Sequence, residues 1–327
     1  MCGIILYTEY NRQHNPVKGG TAVSRTGNQA GGADMEIKAT AKINLGLDVV
    51  RKREDGYHDV RMIMQMTGMY DRITLEPKKG QPGIILKTNL PYIPTNEHNL
   101  AYKAAKILMD EFEVTDGLSI NLKKFIPVAA GLAGGSTDAA AVLKAVNKIF
   151  RLGLNEEQLR ERGAKLGADI PYCLMGGTAL AEGIGERLTP LPDMPDCSIL
   201  LAKPSISVST KEVYGALRAD EIENHPDIDG MIDAIKDGDL HGITDRLANV
   251  LEDVTAPSRP IIGEMEREMV QAGALSAIMS GSGPTVFGIF EVESNARKCR
   301  DELRRKYPAA RIFLTRPCGQ GGIRRGK

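Results

Sequence analysis

At 327 residues the chain is long enough to form two domains, each with its own hydrophobic core. Lys and Arg together number 42, as do Asp and Glu, so no net charge directs the protein to nucleic acid or to an anionic membrane. Tryptophan is absent, and no apolar run approaches the ~18 residues of a transmembrane helix. These features argue against a stacking surface for single-stranded nucleic acid and against a membrane protein.

The cysteines indicate the compartment. Cys2, Cys173, Cys197, Cys299 and Cys318 are odd in number, widely spaced and without a CxxC pair. This distribution argues against a disulfide framework and a structural zinc site, and is typical of a reducing environment. The N-terminus has neither a basic segment nor a small-residue cleavage site, so no secretory signal is predicted. We therefore expect a cytoplasmic protein.

The two ends of the chain differ in composition from its centre. The first residues are rich in Gly, Thr, Asn and Ala and follow neither a helical nor a strand period. Residues 1–34 are therefore predicted to be a flexible leader outside the fold. Met35 opens a regular pattern, with an N-terminal domain expected at 35–195 and a C-terminal domain at 196–317. The basic, Gly-rich residues 318–327 are expected to be a disordered tail.

The N-terminal domain begins with strand-like segments separated by Gly, Pro and Asp, and continues with helices whose apolar residues share one face. In chain order the pattern predicts strands at 37–50, 72–77 and 83–88, a helix at 99–112, a strand at 118–122, and helices at 138–150 and 156–167.

The C-terminal domain follows a β–α–β–β–α–β order with extra helices in the first crossover, which is the split βαβ pattern. Its predicted elements are a strand at 198–204, helices at 210–217, 226–235 and 259–273, strands at 275–280 and 285–291, a helix at 295–307 and a strand at 310–316.

A glycine-rich segment at 127–137 lies between a predicted strand and a predicted helix, the context that a phosphate-binding loop requires. Gly131, Gly134 and Gly135 allow positive φ and a close approach of backbone amides to a ligand. The free N–H groups and the dipole at the start of the next helix favour a polyphosphate. The segment matches neither the Walker GxxxxGK[ST] loop nor the Rossmann GxGxxG loop. A turn that binds nothing is the alternative on these residues alone.

A second glycine cluster, MSGSGPTVFG at 279–288, lies between two predicted strands of the C-terminal domain. By itself it is typical of a simple connection. If the two domains face each other, Ser280–Gly283 is expected to form an amide-lined rim against the phosphates.

Three polar residues suit phosphoryl transfer, which needs charge neutralisation and a group that orients or deprotonates the nucleophile. Lys42 and Asn44 are two apart on the first strand and face the same side, although a solvent-facing polar stripe has the same spacing. Asp169 enters an apolar stretch, which suits a general base or the partner of a cation. An Asp that caps a turn is equally consistent with its position.

The segment RKREDGYHD offers a candidate nucleobase site. Tyr57 and His58 combine an aromatic face with a hydrogen-bonding ring, and a loop histidine without a function is the alternative reading. Asn99 stands where the N-cap of a helix is expected.

Together these segments resemble a known superfamily. The glycine-rich loop, GSGPTVFG and AKINLGL resemble the GHMP kinases. Within them AKINLGLDVVRKREDGYHD, EHNLAYKAA, GADIPYC, ALAEGIGERLTPL and KPSISVSTKEVY resemble the family that phosphorylates 4-diphosphocytidyl-2-C-methyl-D-erythritol. The resemblance runs in order from about Met35 to Pro317. It implies an α+β two-domain GHMP kinase fold, with a ribosomal-S5-domain-2-like N-terminal half and a ferredoxin-like C-terminal half.

The resemblance also implies a reaction. ATP, accompanied by Mg²⁺, would phosphorylate the 2-hydroxyl of the methylerythritol unit in the non-mevalonate isoprenoid precursor pathway. The enzyme would be a monomer or homodimer with no metal ion held by the protein itself. Lys42 and Asp169 would be the catalytic pair, with Asp169 as the base. The residues implied for the cytidine-diphosphate-linked substrate are Asn44, Tyr57, His58, Thr210 and Tyr214. Those implied for ATP are Asn99, Pro127, Val128, Ala129, Ala130, Gly131, Leu132, Ala133, Gly134, Gly135, Ser136 and Thr137.

Two positions depart from the family's pattern. Ala133 stands where Gly is frequent, and Asp138 stands where Asn also occurs. Two further hypotheses stay open, namely a GHMP kinase for another alcohol and a nucleotide-binding module without catalysis. Lys42 and Asp169 argue against the second, because a non-catalytic module needs neither.

Overall fold

The computed structural model describes residues 34–319 and has an α+β architecture of two sheets with helices packed on them. The predicted leader therefore lies outside the described residues except for Asp34. The strands are β1 (Met35–Lys52), β2 (His58–Lys78), β3 (Ile84–Thr88), β4 (Gly117–Lys123), β5 (Thr178–Gly183), β6 (Arg187–Leu191), β7 (Ser198–Lys203), β8 (Ala248–Asn249), β9 (Ser276–Met279), β10 (Val286–Phe290) and β11 (Arg311–Thr315). The helices are α1 (Leu100–Glu111), α2 (Gly134–Ile149), α3 (Glu156–Ala164), α4 (Ile170–Met175), α5 (Thr210–Ala216), α6 (Ile228–Asp237), α7 (Leu240–Thr244), α8 (Glu252–Thr255), α9 (Ile261–Gln271) and α10 (Glu293–Lys306).

The first sheet is organised around β2, which pairs with β1 along its length, with β5 near its start and with β4 near its end. Only residues 72–77 of this 21-residue strand were predicted as a strand. The first half of β2 contains Met62, Met64 and Met66, and methionine is not among the residues enriched in strands. Pairing with β1 and β5 stabilises the strand conformation there.

The helices α1 and α2 cover the apolar side of the first sheet. Four alanines of α2 are almost fully buried there (Ala139, Ala140, Ala141 and Ala145). Small side chains let the helix axis approach the sheet and α1 closely. This packing fixes the start of α2 and the loop that precedes it.

The second sheet has the order β11-β7-β10-β9, in which every neighbouring pair is antiparallel. This is the ferredoxin-like arrangement, and the predicted split βαβ order is confirmed. The helices α9 and α10 pack on one face of it. The opposite face contributes Ile199 and Phe287 to a core cluster that also contains Ile43 and Leu45 of β1. The two halves therefore share a hydrophobic core.

The C-terminal end of the described chain is more ordered than predicted. Cys318, assigned to the disordered tail, is buried, and its N–H donates to the Met66 carbonyl of β2 at 2.8 Å. Cys318 is disulfide-bonded, whereas Cys173, Cys197 and Cys299 are free buried thiols. The cysteine spacing argued against a disulfide framework, but it could not exclude a disulfide at Cys318, because spacing along the chain does not reveal which cysteines a fold brings together.

Candidate active site

A cavity of about 1050 Å³ opens between the two sheets. The glycine-rich loop and the start of α2 form one end of it, and the β1–β2 turn with α5 forms the other. Among the predicted site residues, all lie on its wall except Leu132 and Thr137. Both exceptions are buried, and Leu132 belongs to the core cluster shared by the two halves. Its side chain anchors the loop and does not face the cavity.

Every second residue of the loop from Ala129 to Ala133 has a left-handed backbone conformation. Ala129, Gly131 and Ala133 have positive φ of 49°, 74° and 54°, and such alternation curls successive N–H groups around an anion. Of the three glycines that permit positive φ, only Gly131 adopts it, because Gly134 and Gly135 belong to α2 and have ordinary helical backbone. The left-handed positions precede the helix because the chain must turn there before α2 can begin.

The loop is interlocked with the second glycine cluster. The Ser280 hydroxyl donates to the Gly131 carbonyl at 3.1 Å and accepts from the Asn44 backbone N–H at 3.3 Å. A Cβ atom on Gly131 would lie 2.2 Å from the Ser280 carbonyl oxygen, so only glycine fits there. Gly281 and Ser282 line the cavity beside the loop. The expected rim at Ser280–Gly283 therefore forms where the two halves meet.

A buried lysine supports the start of α2. The Lys124 ammonium donates to Asp71, to Asp138 at 2.7 Å and to the Gly134 carbonyl at 3.1 Å. Burial disfavours its charge, but the two carboxylates outweigh that effect and raise the pKa of Lys124. Burial raises the pKa of Asp138 well above its usual range, against the opposing charge of Lys124. Lys124 was not among the predicted site residues, because a Lys that directly follows the lysine at the end of a strand carries no signal of burial.

The two predicted catalytic side chains face the same cavity but are not paired. The Lys42 ammonium donates to Asn44 Oδ1 at 2.6 Å. Lys42 and Asp169 form no salt bridge within 4.0 Å in the described part of the chain. Asp169 occupies the N-cap position of α4, yet its side chain makes no capping hydrogen bond. Its carboxylate is therefore not used as a cap, which was the alternative interpretation of this residue.

Aromatic residues line the other end of the cavity. The rings of His58 and Tyr214 lie 5.3 Å apart between centroids, tilted by 43°. His58 is buried, and its Nε2 has no hydrogen-bond partner in the structure. Burial and the neighbouring charge of Lys52 lower the pKa of His58. Tyr57, the last residue of the β1–β2 turn, is 60% exposed.

Two further predicted residues are engaged in local hydrogen bonds. Thr210 Oγ1 lies 2.8 Å from Ser282 Oγ, which joins α5 to the rim of the second glycine cluster. Asn99 is the N-cap of α1, as predicted: its side chain accepts from the Ala101 N–H at 2.9 Å and donates to the Pro94 carbonyl at 2.8 Å. Asn99 thus shapes the segment before α1 that borders the cavity.

Asn249 is a second residue beside the site that the sequence did not predict. It lies on β8, which pairs with β1 two residues beyond Asn44. Its amide donates to the Met279 and Gly281 carbonyls, both at 2.8 Å, and its oxygen accepts from the Leu251 N–H at 3.1 Å. This side chain therefore holds the rim of the second half against the first sheet. A two-residue strand has no sequence pattern that could have indicated it.

The described residues contain no helix that is long and apolar enough to cross a bilayer, and no cluster of three His, Cys, Asp or Glu side chains suited to a metal ion.

Comparison with known proteins assigns the family. Residues 99–177 match the family described as GHMP kinases N terminal domain, and residues 231–309 match GHMP kinases C terminal. A 4-diphosphocytidyl-2-C-methyl-D-erythritol kinase of Lachnospira eligens is 51% identical over 281 residues, which are 86% of this chain and 97% of that protein. The chain belongs to the 4-diphosphocytidyl-2-C-methyl-D-erythritol kinase family.

Other members and relatives agree with this assignment. A 4-diphosphocytidyl-2-C-methyl-D-erythritol kinase of Lachnoclostridium phytofermentans is 52% identical over 282 residues, 86% of this chain and 97% of that protein. A crystal structure of 4-(cytidine 5'-diphospho)-2C-methyl-D-erythritol kinase matches with a TM-score of 0.75 at 33% identity, covering 87% of this chain and 100% of that chain. A homoserine kinase of Cytophaga hutchinsonii shares the fold, with a TM-score of 0.70 at 17% identity over 91% of this chain and 99% of that chain. The predicted family is confirmed, and ATP is the nucleotide that GHMP kinases use.

Proposed function

We propose that this protein is the ATP-dependent kinase that phosphorylates the 2-hydroxyl of 4-diphosphocytidyl-2-C-methyl-D-erythritol. The observation that carries the choice of substrate is the unpartnered Nε2 of His58, buried beside the Tyr214 ring in the cavity wall. A buried polar atom without a partner costs free energy in the ligand-free protein. A nucleobase edge that bonds to His58 while its ring stacks on Tyr214 removes that cost.

The cavity accommodates both substrates from opposite ends. The ATP phosphates lie on the amides of residues 127–137 and the positive end of α2. The cytidine end lies against His58 and Tyr214, with the exposed Tyr57 free to cover the base. Between them Asp169 deprotonates the attacking hydroxyl, since its carboxylate is not engaged as a cap. Lys42, oriented by Asn44, neutralises charge on the transferred phosphoryl group.

Mg²⁺ is expected to enter with ATP and not to occupy a site of the protein alone. It prefers oxygen ligands and keeps several waters. Lys124 binds Asp138 through Oδ2, but Asp138 Oδ1 is buried without a hydrogen-bond partner in the structure. The acidic or hydroxyl oxygens that could contact the ion from the cavity wall are therefore those of Asp138, Ser136 and Asp169. When bound, the ion neutralises phosphate charge. These few side-chain oxygens suit an ion whose other ligands are phosphate oxygens and water.

The test is ADP release by the purified protein with ATP, Mg²⁺ and a panel of alcohols that includes 4-diphosphocytidyl-2-C-methyl-D-erythritol, homoserine and mevalonate. We expect turnover with the first alone. His58→Ala should raise KM for that substrate about 10- to 100-fold, because a buried hydrogen bond to the base is lost, and should leave KM for ATP unchanged. His241→Ala, which alters an exposed histidine of α7, is the matched control. Turnover with another alcohol, unaffected by His58→Ala, would contradict the proposal.

A further inference from the structure

Four lysines lie on the cavity wall, and two of them have no partner. Lys42 is bound to Asn44, and Lys124 is held by two carboxylates. Lys52 and Lys211 are exposed, and their ammonium groups form no hydrogen bond or ion pair with any described residue. Two free ammonium groups at one end of a cavity attract an anion there.

The free lysines flank the His58–Tyr214 pair from two different elements. Lys52 is directly opposite His58 in the β1–β2 ladder, so both side chains project from the same face of the sheet. The charge of Lys52 contributes to the lowered pKa of His58, which places it near the ring. Lys211 lies three residues before Tyr214 on α5, on the same side of that helix.

Neither lysine has a role in holding the fold. Both ammonium groups lie at the surface, where a charge without a partner adds little to the free energy of unfolding. Lys211 also lies in the first turn of α5, where a cation is opposed by the helix dipole. Its position is better explained by a ligand than by local stability.

We propose that Lys52 and Lys211 form a subsite for the diphosphate of the cytidine-diphosphate-linked substrate. This inference rests on the proposed function, because a base held by His58 and Tyr214 places its attached phosphates beside the two lysines. Ammonium groups on flexible side chains bind phosphate oxygens as point charges without demanding one geometry. The lysines thus select a nucleoside diphosphate over an uncharged nucleoside, while the loop at 127–137 holds the phosphates of ATP.

The experiment measures dissociation constants of cytidine, CDP and ATP by calorimetry on the full chain. The proteins are the parent, Lys52→Gln, Lys211→Gln, the double variant and the control Lys298→Gln, which changes an exposed lysine of α10. We expect the parent to prefer CDP over cytidine and each single change to reduce that preference about fivefold, a magnitude typical of exposed charge contacts. The double variant should lose it almost completely. Affinities for cytidine and ATP should stay unchanged, which also shows that the variants fold.

Each outcome separates this inference from the proposed function. If the double variant prefers CDP over cytidine as strongly as the parent does, the subsite is refuted while the kinase proposal stands. An equal loss of affinity for ATP and CDP would also refute it, because the lysines would then act as a general positive surface. If the parent binds neither cytidine nor CDP, the proposed substrate itself is wrong.

Discussion

Among single residues, Asp169 stands at a helix terminus without using its side chain to cap the helix. It occupies the N-cap of α4, a place where an Asp side chain normally accepts a backbone N–H, but its carboxylate makes no such bond and lines the cavity. Its charge also contributes, after burial, to the raised pKa of Tyr214. Asp169 therefore lies near Tyr214 on the cavity wall.

Asp169→Asn should lower kcat about 10²- to 10⁴-fold, because an amide cannot accept the proton of the substrate hydroxyl. The free energy of unfolding and the affinity for ATP should change little, since the carboxylate makes no capping bond. Steady-state ADP release, urea denaturation and calorimetry measure the three quantities. Asp237→Asn, at the exposed end of α6, is the control. A kcat within threefold of the parent value would exclude Asp169 as the base.

Replacement of Gly131 or Gly135 by alanine should have different effects on the free energy of unfolding. Gly131→Ala forces a Cβ into the Ser280 carbonyl at a φ of +74°, so we expect a loss of at least ~2 kcal/mol in the free energy of unfolding. Gly135→Ala meets only Leu100 Cδ1 at 3.5 Å and gains helix propensity, so stability should be retained. Its methyl group lies on the cavity wall, and affinity for ATP should fall. Equal stability losses in urea titrations would contradict this distinction.

Site residues could be predicted where a chemically suitable side chain lies in a sequence segment that resembles a known motif. Lys42, Asn44, Tyr57 and His58 lie on the cavity wall, as does the glycine-rich loop. Which of the loop residues turn left-handed was not predictable from glycine content. Ala129 and Ala133 adopt positive φ because anchored neighbours, including the buried Leu132, fix the path of the chain.

At the scale of elements, the helices α8 and α9 bring two carboxyl groups together. The Glu252 and Glu266 carboxyl groups interact with each other, and Glu252 also accepts the Met279 N–H at 2.8 Å. Burial and, secondarily, the charge of Glu252 raise the pKa of Glu266 to about 8. The pair therefore holds a proton at neutral pH.

This pair predicts a pH dependence of stability. The folded state binds the proton more tightly than the unfolded chain, whose glutamate has a pKa of 4.5. The contribution to stability is therefore complete below pH 4.5 and is lost as pH rises to about 8. Glu266→Gln should flatten the decline of the unfolding free energy across this window, as measured by urea titrations at several pH values. Glu302→Gln, exposed on α10, should leave the decline unchanged, and an unaltered slope in Glu266→Gln would contradict the pairing.

Elements with a clear period were predictable, and those formed by their neighbours were not. The helix at 99–112 and the strands of the second sheet follow from apolar periodicity and are present. The first half of β2 alternates only in part, because Ile63 interrupts its polar face, and the two residues of β8 are too few to show a period. Their backbone groups are satisfied by β1 and β5, and that pairing is set by the tertiary fold.

At the scale of the whole molecule, the site depends on contact between the two halves. Asn249 links the Met279 and Gly281 carbonyls of one half to a strand paired with β1 of the other. Composition and periodicity predicted two units and the ferredoxin-like order of the second. They could not reveal how the units interlock, because the contacts join single polar groups far apart in sequence.

Asn249→Ala should lower the free energy of unfolding by about 2 kcal/mol, since two carbonyls and one N–H lose their buried partner. The affinity for ATP should also fall, because the rim at Gly281 is no longer held against the loop. Urea denaturation and calorimetry give the two values. Asn121→Ala, on the exposed side of β4, is the control. An Asn249→Ala protein with the stability and ATP affinity of the parent would show that the rim is positioned by other contacts.

The contact of Gly131 with Ser280 also limits how members of this family can recombine. A chimera that joins the first half of this chain to the second half of a relative brings two separately evolved surfaces together at the phosphate end. The Ser280 hydroxyl has to meet both the Gly131 carbonyl and the Asn44 N–H within hydrogen-bonding distance. Crossovers at the boundary predicted between residues 195 and 196 would therefore yield active hybrids only from parents that agree at both glycine clusters.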